Sequence, residues 1–269
     1  MAGTLYIVGT PIGNLKDITY RAVETLNSVD VIACEDTRVS MKLLNVYGIK
    51  KPLVSYYKQK EREGSEKIRE LLNEGKNVAL ITDAGMPCVS DPGAVLVGEC
   101  AKNGIKVEVV PGPSAVISAM ALIGEETKGF TFLGFLPEKN KEKKALVEEY
   151  SYVSSPLVFY VSPHDINDAA KFLFSELGNR KVYVVKEITK MFESAVEASL
   201  EDFYIAEPRG EYVLIVMPGE GGKALNSLSV REQVKHYMQS GLTKKDAIKR
   251  TASDRGVDKN SVYSEVLDL

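Results

Sequence analysis

Three segments of this 269-residue chain set glycines and prolines beside residues that can hold a small molecule. They are Gly9-Thr10-Pro11-Ile12-Gly13-Asn14, Asp83-Ala84-Gly85-Met86-Pro87-Cys88-Val89-Ser90-Asp91-Pro92-Gly93 and Val110-Pro111-Gly112-Pro113-Ser114-Ala115. Each follows an apolar run. The first looks like a phosphate loop, but it lacks the G-x-G-x-x-G spacing. Pro11 also removes a backbone donor where a pyrophosphate would need one. Glu35-Asp36 ends another apolar run and imitates an acidic ribose-binding position; without the glycine pattern it argues only weakly for a nicotinamide or flavin site. The second segment is long for a strand-to-helix turn, and Gly85 and Pro87 would leave exposed backbone able to read a nucleoside or an amino-acid tail. In the third, two prolines around Gly112 fix a bend. Ser114 then caps a helix of small residues, Ala115 to Ala121, which either admits a ligand closely or is simply a capped core helix.

A second set of residues carries charge. Lys186, Glu187 and Lys190 follow an apolar run. A lysine–carboxylate pair can take a proton from a hydroxyl and stabilise the charge that develops there, although a solvated strand end would use the same residues. Asp36 and Arg38 either orient a nucleotide or form a local ion pair. Lys244, Lys245, Lys249 and Arg250, with Lys259 nearby, cluster at helical spacing and suit phosphate contact or a solvated face. Residues 227–269 hold eight basic and six acidic side chains, so the local excess is slight. His164, beside Pro163, reads first as a structural hydrogen-bonding residue. His164 and His236 are far apart, and Cys34, Cys88 and Cys100 are odd in number without ligand spacing. No metal site is expected, and the cysteines read as reduced, buried thiols.

The elements that must carry these residues alternate. Strands are expected at Leu5–Val8, Val29–Cys34, Leu53–Tyr56, Val78–Thr82 and Val107–Val110. Helices are expected at Ile18–Leu26, Arg38–Tyr47 and Ser65–Glu74. A further helix should open with Asp91 as N-cap and Pro92 at its first position and run to Asn103-Gly104. This β-α rhythm predicts a mostly parallel sheet covered on both faces. After a break near Gly124-Glu125-Glu126 the rhythm resumes. It has strands at Phe130–Phe135, Leu157–Val161, Lys181–Glu187 and Tyr212–Met217, a charged helix Lys139–Tyr150, and a helix after Pro163 capped by Asp165. Gly219-Glu220-Gly221-Gly222 marks a linker. The tail then carries three helices. Capping boxes start two of them, at Ser229 and Thr243, and the third, Asn260–Leu267, has Val262, Tyr263, Val266 and Leu267 at core spacing. The expected organisation is an α/β domain over 1–125, a second over 126–223 and a small helical module over 224–269.

Hydrophobic residues make up 44% of the chain, ordinary for a globular fold. No apolar run reaches the ~20 residues of a membrane span. The first eight residues lack a basic leader, so a cytoplasmic location is expected. The net charge of −3 does not exclude nucleic acid, because phosphate contact needs only a local basic face.

Taken together, Gly9 to Thr19, Glu35-Asp36-Thr37-Arg38, Asp83 to Pro87, Ser90-Asp91-Pro92-Gly93, Pro111 to Ala115 and Gly134-Phe135-Leu136-Pro137 resemble the tetrapyrrole-methylase-like (class III) methyltransferases. The match is closer to the branch that 2′-O-methylates a decoding-region cytidine of 16S ribosomal RNA. The resemblance implies two α/β domains of tetrapyrrole methylase type with S-adenosylmethionine in the interdomain cleft, plus the small C-terminal three-helix module. It also implies 16S rRNA within the small subunit as partner, and a homodimer. It places Pro11, Ile12, Asp83, Ala84, Gly85, Met86, Val89, Ser114 and Ala115 against the cofactor, with Tyr160, Val161, Glu187 and Ile188 from the second domain. Lys186 or Lys190 becomes the base or oxyanion stabiliser and Glu187 its orienting partner. Asp36, Arg38 and the tail lysines are assigned to RNA. Two stretches depart from the family pattern. Tyr160-Val161-Ser162-Pro163-His164-Asp165 stands where relatives have Tyr-Glu-Ser-Pro-His-Arg, which removes a carboxylate and reverses a charge. Lys186-Glu187-Ile188-Thr189-Lys190 replaces Arg-Glu-Leu-Thr-Lys and loses a guanidinium fork. Methylation of a small tetrapyrrole or a protein side chain on the same fold, and a non-catalytic ribosome-binding module, remain the alternatives.

Overall fold

The computed structural model describes residues 2–151, 153–219, 228–239, 241–267 and 269. The chain divides into two compact units. One comprises residues 1–125 with 185–194, and the other 126–184 with 195–269.

The first unit is built on β1 (Leu5–Val8), β2 (Val31–Cys34), β3 (Leu53–Ser55), β4 (Val78–Leu80) and β5 (Val107–Val110), in the order β3-β2-β4-β1-β5. Every recorded pairing in this sheet is parallel. The short apolar runs form central strands because helices cover both faces. On one side Ile68, Leu72, Leu96 and Cys100 pack against Leu5, Ile7 and Leu80. On the other, Ala22, Leu26 and Leu44 pack against Val8, Ile32 and Ile81. The helices are α1 (Tyr20–Ser28), α2 (Thr37–Val46), α3 (Glu61–Asn73), α4 (Ala94–Lys102) and α5 (Ala115–Ile123). Thr19, Asp36 and Ser114 cap α1, α2 and α5 through their side-chain oxygens.

The second unit holds β6 (Thr131–Phe135), β7 (Leu157–Val161), β8 (Lys181–Lys186), β9 (Ser194–Ser199) and β10 (Tyr212–Val216), in the order β6-β7-β10-β8-β9. This sheet is mixed: β6 runs parallel to β7, and β10 antiparallel to it. Helices α6 (Asn140–Tyr150) and α7 (Ile166–Leu177) contribute Val147, Ile166 and Leu173 to its core. The tail forms α8 (Val230–Gln239), α9 (Lys244–Arg255) and α10 (Lys259–Ser264), packed around Val234, Ala247, Ile248, Ala252, Val262 and Val266. Ser229 and Glu232 complete the expected capping box, and Thr243 caps α9.

Several expectations are corrected. The fourth helix starts at Ala94, not at Pro92. Asp91 spends its carboxylate on the Thr82 hydroxyl at 3.0 Å, and Gly93 takes the cap position at φ 138° without a side-chain cap. Asp165 occupies the cap position of α7 but makes no capping bond, because its carboxylate accepts from Ser162 at 2.6 Å. Strand β9 was not expected at all. In the tail only Val262 and Val266 of the four nominated core positions are buried, while Tyr263 and Leu267 are exposed. Cys34 and Cys100 are buried, but Cys88 is only partly so. Most of the linker sequence at 219–222, and the expected boundary at 223, lie outside the described residues.

Candidate active site

Parallel pairing sends the carboxyl ends of β1, β2, β4 and β5 to one edge of the first sheet. The nominated segments follow those strand ends, the usual ligand side of such sheets. Thr10 ties two of them together. Its N–H donates to the Gly85 carbonyl at 2.9 Å, the Gly85 N–H returns to Thr10 at 3.1 Å, and its hydroxyl donates to the Thr82 carbonyl at 3.0 Å. Gly9 and Gly112 press against each other, so that a Cβ on Gly9 would lie 2.7 Å from the Gly112 Cα and 2.6 Å from the Met86 sulfur. Gly85 lies at φ 84°, and a Cβ there would meet the Ile12 Cγ2 at 3.4 Å. Backbone therefore forms much of this surface. Ala84 and Val89 are exposed, and Ile12, Met86, Ser114 and Ala115 partly so. Pro11 is buried, its ring spent on the turn.

The loop 83–93 is held at its far end by a device that sequence patterning did not reveal. A Glu61 carboxylate oxygen accepts the Gly93 N–H at 2.7 Å and the Tyr56 hydroxyl at 3.2 Å. Tyr56, fully buried, also meets Ser65 at 3.1 Å. Inside the loop, Cys88 at φ 73° and Ser90 at φ 65° adopt the left-handed region, a strain that side chains other than glycine tolerate only where the surroundings enforce it. Burial pushes the Cys88 thiol up to about 11.

Carboxylates crowd the same edge. Burial, and then the Asp83 and Asp91 charges, raise Glu35 above the usual carboxylate range. Burial raises Asp83, and the Asp36 charge adds to it. Asp91 is raised by burial first, with the Thr82 hydrogen bond opposing. Asp36 moves the other way, to about 2, because Arg38 donates to it from side chain and backbone. The Arg38 guanidinium grips Asp36 at 3.1 and 2.8 Å, and the Arg38 N–H reaches it at 2.8 Å. The local ion pair is therefore present, and Asp36 doubles as the cap of α2.

The segment 185–194 brings the charged candidates into the first unit. The Lys190 ammonium donates to Glu187 at 2.9 Å, with both side chains largely shielded. The Lys190 stem crosses Gly13 so closely that a Cβ on that glycine would lie 2.6 Å from two of its carbons. Thr189 hydrogen-bonds Asp17, fastening the segment to the loop after β1. Glu187 at φ 50° and Thr189 at φ 67° are both left-handed. Lys186 and Ile188 are partly exposed on the same segment.

The nominees of the second unit are less uniform. Val161 is buried in the core, so only its backbone is available to a ligand. Tyr160 is partly exposed and stacks edge-on against Phe132 and Phe135. His164 is exposed. On α9, Lys245, Lys249 and Arg250 are exposed; Arg250 pairs with Asp254 at 3.3 Å, and Lys244 reaches the Leu267 carbonyl at 3.3 Å. Among the described residues there is no metal-binding cluster, and no helix is long and apolar enough to cross a membrane.

Residues 4–204 match the model of the family described as Tetrapyrrole (Corrin/Porphyrin) Methylases. The chain is 42% identical to the ribosomal RNA small subunit methyltransferase I of Halalkalibacterium halodurans, over 97% of this chain and 94% of that protein. It is 43% identical to the protein of the same name from Thermotoga maritima, over 81% of this chain and 99% of that one. Among solved structures, a diphthine synthase superposes with a TM-score of 0.67 at 17% identity, over 80% of this chain and 90% of that one, which is likeness of fold alone.

Proposed function

The chain belongs to the tetrapyrrole (corrin/porphyrin) methylases and, within them, to the family of ribosomal RNA small subunit methyltransferases I; from that premise we propose that it transfers a methyl group from S-adenosylmethionine to the ribose 2′-hydroxyl of a cytidine in the decoding region of 16S rRNA. The nucleotide and the ribose position rest on the motif resemblance. The chemistry rests on one observation: a shielded Lys190–Glu187 pair laid across Gly13 at the loop after β1.

The residues at the strand ends fit such a cofactor. Ala84, Ser114 and Ala115 carry small side chains and are exposed or partly so, which leaves room for an adenosine beside them. Asp83 and Glu35 supply negative charge for a cationic ligand. When bound, the cofactor supplies an electrophilic methyl carbon whose bond to sulfur breaks, with its electron pair, as the ribose oxygen attacks. This chain's work is alignment and proton handling. In this reading Glu187, in place of the orienting role that the sequence suggests for it, accepts the hydroxyl proton. Lys190, hydrogen-bonded to that same carboxylate, stabilises the negative charge building on the oxygen. Lys186 adds positive charge on the same segment. Arg38 in the first unit and, separately, the exposed α9 lysines in the second offer positive charge for RNA phosphates. A homodimer fits the exposed Val109, Ile117 and Leu122 on β5 and α5, and light scattering at twice the chain mass checks it.

Calorimetry and single-turnover transfer test the reading. S-adenosylmethionine should bind wild type and Lys190→Met alike, at micromolar strength or about −8 kcal/mol. Methyl transfer to purified small subunits should fall roughly 10²–10⁴-fold in Lys190→Met and in Glu187→Gln. Absent cofactor binding would instead support a ribosome-binding module, and turnover of a tetrapyrrole with none of RNA would support a small-molecule methylase.

A further inference from the structure

Beside the Lys190–Glu187 pair, the chain exposes two large apolar side chains, Met191 at 90% and Phe192 at 72%. Neither belongs to a core, and the methyl-transfer chemistry does not use them. Lone exposed hydrophobic residues are common, but here two sit in tandem on a segment held in one conformation. The Lys190 N–H bonds the Glu187 carbonyl at 3.0 Å, the Glu193 N–H bonds the Lys190 carbonyl at 3.1 Å, and the Thr189 N–H bonds the Glu193 carboxylate at 2.5 Å. Thr189 is fastened to Asp17, and Glu187 and Thr189 both hold left-handed backbone. Backbone strain and a closed set of hydrogen bonds spent on presenting apolar groups to water indicate a binding surface.

We infer that Met191 and Phe192 form a platform on which an unstacked base of the RNA substrate rests, next to the nucleotide whose ribose meets Lys190 and Glu187; this rests on the ribose-methylation reading above. Two features select a nucleic acid base. The platform is continuous with the proposed proton-handling pair, one and two residues from Lys190. Cations flank it too: Lys190 itself, and exposed Lys16 in the 3₁₀ turn Leu15–Asp17 that Thr189 grips. Basic groups for phosphate and an aromatic face for a base are the usual elements of single-stranded RNA recognition. An unpaired target nucleotide has a base free to leave helical stacking as it enters the site, and a protein surface then replaces the lost stack. Pre-ordering the segment lowers the entropic cost of that replacement.

The test uses the full chain with purified small ribosomal subunits, in the variants Phe192→Ala, Phe192→Tyr and Met191→Ala. Phe192→Ala should raise the KM for subunits roughly 10-fold or more, the effect of one lost base–aromatic stack, with the S-adenosylmethionine Kd unchanged. Phe192→Tyr should restore the wild-type KM, and Met191→Ala should fall between. A short RNA carrying 2-aminopurine beside the target cytidine should be quenched on binding by wild type and not by Phe192→Ala. Wild-type KM and quenching in Phe192→Ala would overturn the platform. So would a change in its oligomeric state by light scattering, which would mean that a second copy of the chain covers these residues. Wild-type quenching without methyl transfer would leave the platform standing and overturn the ribose-methylation reading.

Discussion

At the residue scale, the site sets function against stability. Asp83, Glu35 and Asp91 all titrate above the usual carboxylate range because folding strips part of their water and sets them beside other carboxylates, although Asp83 stays largely exposed. A carboxyl whose pKa rises on folding favours the folded state only below its unfolded value, and that benefit is gone once the pH passes the folded value; near neutrality the ionised cluster opposes the fold. Asp83→Asn should therefore raise Tm at pH 7 only slightly, by no more than about 1 °C since solvent screens this exposed group, and the difference should vanish near pH 3, where the native side chain is protonated. The same variant should bind S-adenosylmethionine more weakly; calorimetry beside differential scanning measures both. Part of this was readable in the sequence. Glycines and prolines after apolar runs marked the strand-end bends, since only such residues permit the Gly9–Gly112 approach and the φ of Gly85. Lys190 and Glu187 were also readable, three apart at a strand end. The Thr189–Asp17 bond was not, because it joins residues with no common pattern, 172 positions apart.

At the scale of elements, loop 83–93 shows how a strand-to-helix connection becomes a rigid surface. Its near end is hydrogen-bonded to Thr10 and its far end to Glu61, which does for α4 what a side-chain cap would do. Glu61→Ala leaves the Gly93 N–H short of an acceptor, while the Tyr56 hydroxyl keeps Ser65, at a cost of about 1–3 kcal/mol. The expected outcome is a lower Tm together with weaker cofactor binding, while Glu61→Gln, which keeps an oxygen, should recover much of both. Sequence patterning placed that helix two residues early. Asp91-Pro92 has the local chemistry of a helix start, but a tertiary partner, Thr82, claims the carboxylate. Strand β9 escaped for a different reason. Ser194–Ser199 is a mostly exposed edge strand with little apolar alternation, so it lacks the period on which strand reading depends.

At the scale of the whole molecule, the rhythm of apolar runs declared two α/β units, because a parallel sheet needs helices between its strands, and each apolar strand can be read as buried. The tail stands apart. The family match ends at residue 204, before α8, and about a fifth of this chain has no counterpart in the Thermotoga relative. Here α9 presents Lys245, Lys249 and Arg250 to solvent. Removing residues 225–269 should weaken RNA binding several-fold, more at low salt than at high, because phosphate contacts release counterions. It should spare cofactor binding, and unchanged affinity by anisotropy would assign the tail a packing role. The most direct test of the whole account is the product itself. Small subunits lacking the mark are methylated with labelled S-adenosylmethionine, and the RNA is digested and analysed by mass spectrometry. The account predicts one labelled cytidine whose 2′-O-methyl protects the adjoining linkage from alkali; label on a base, or an alkali-sensitive linkage at the labelled nucleotide, would contradict it.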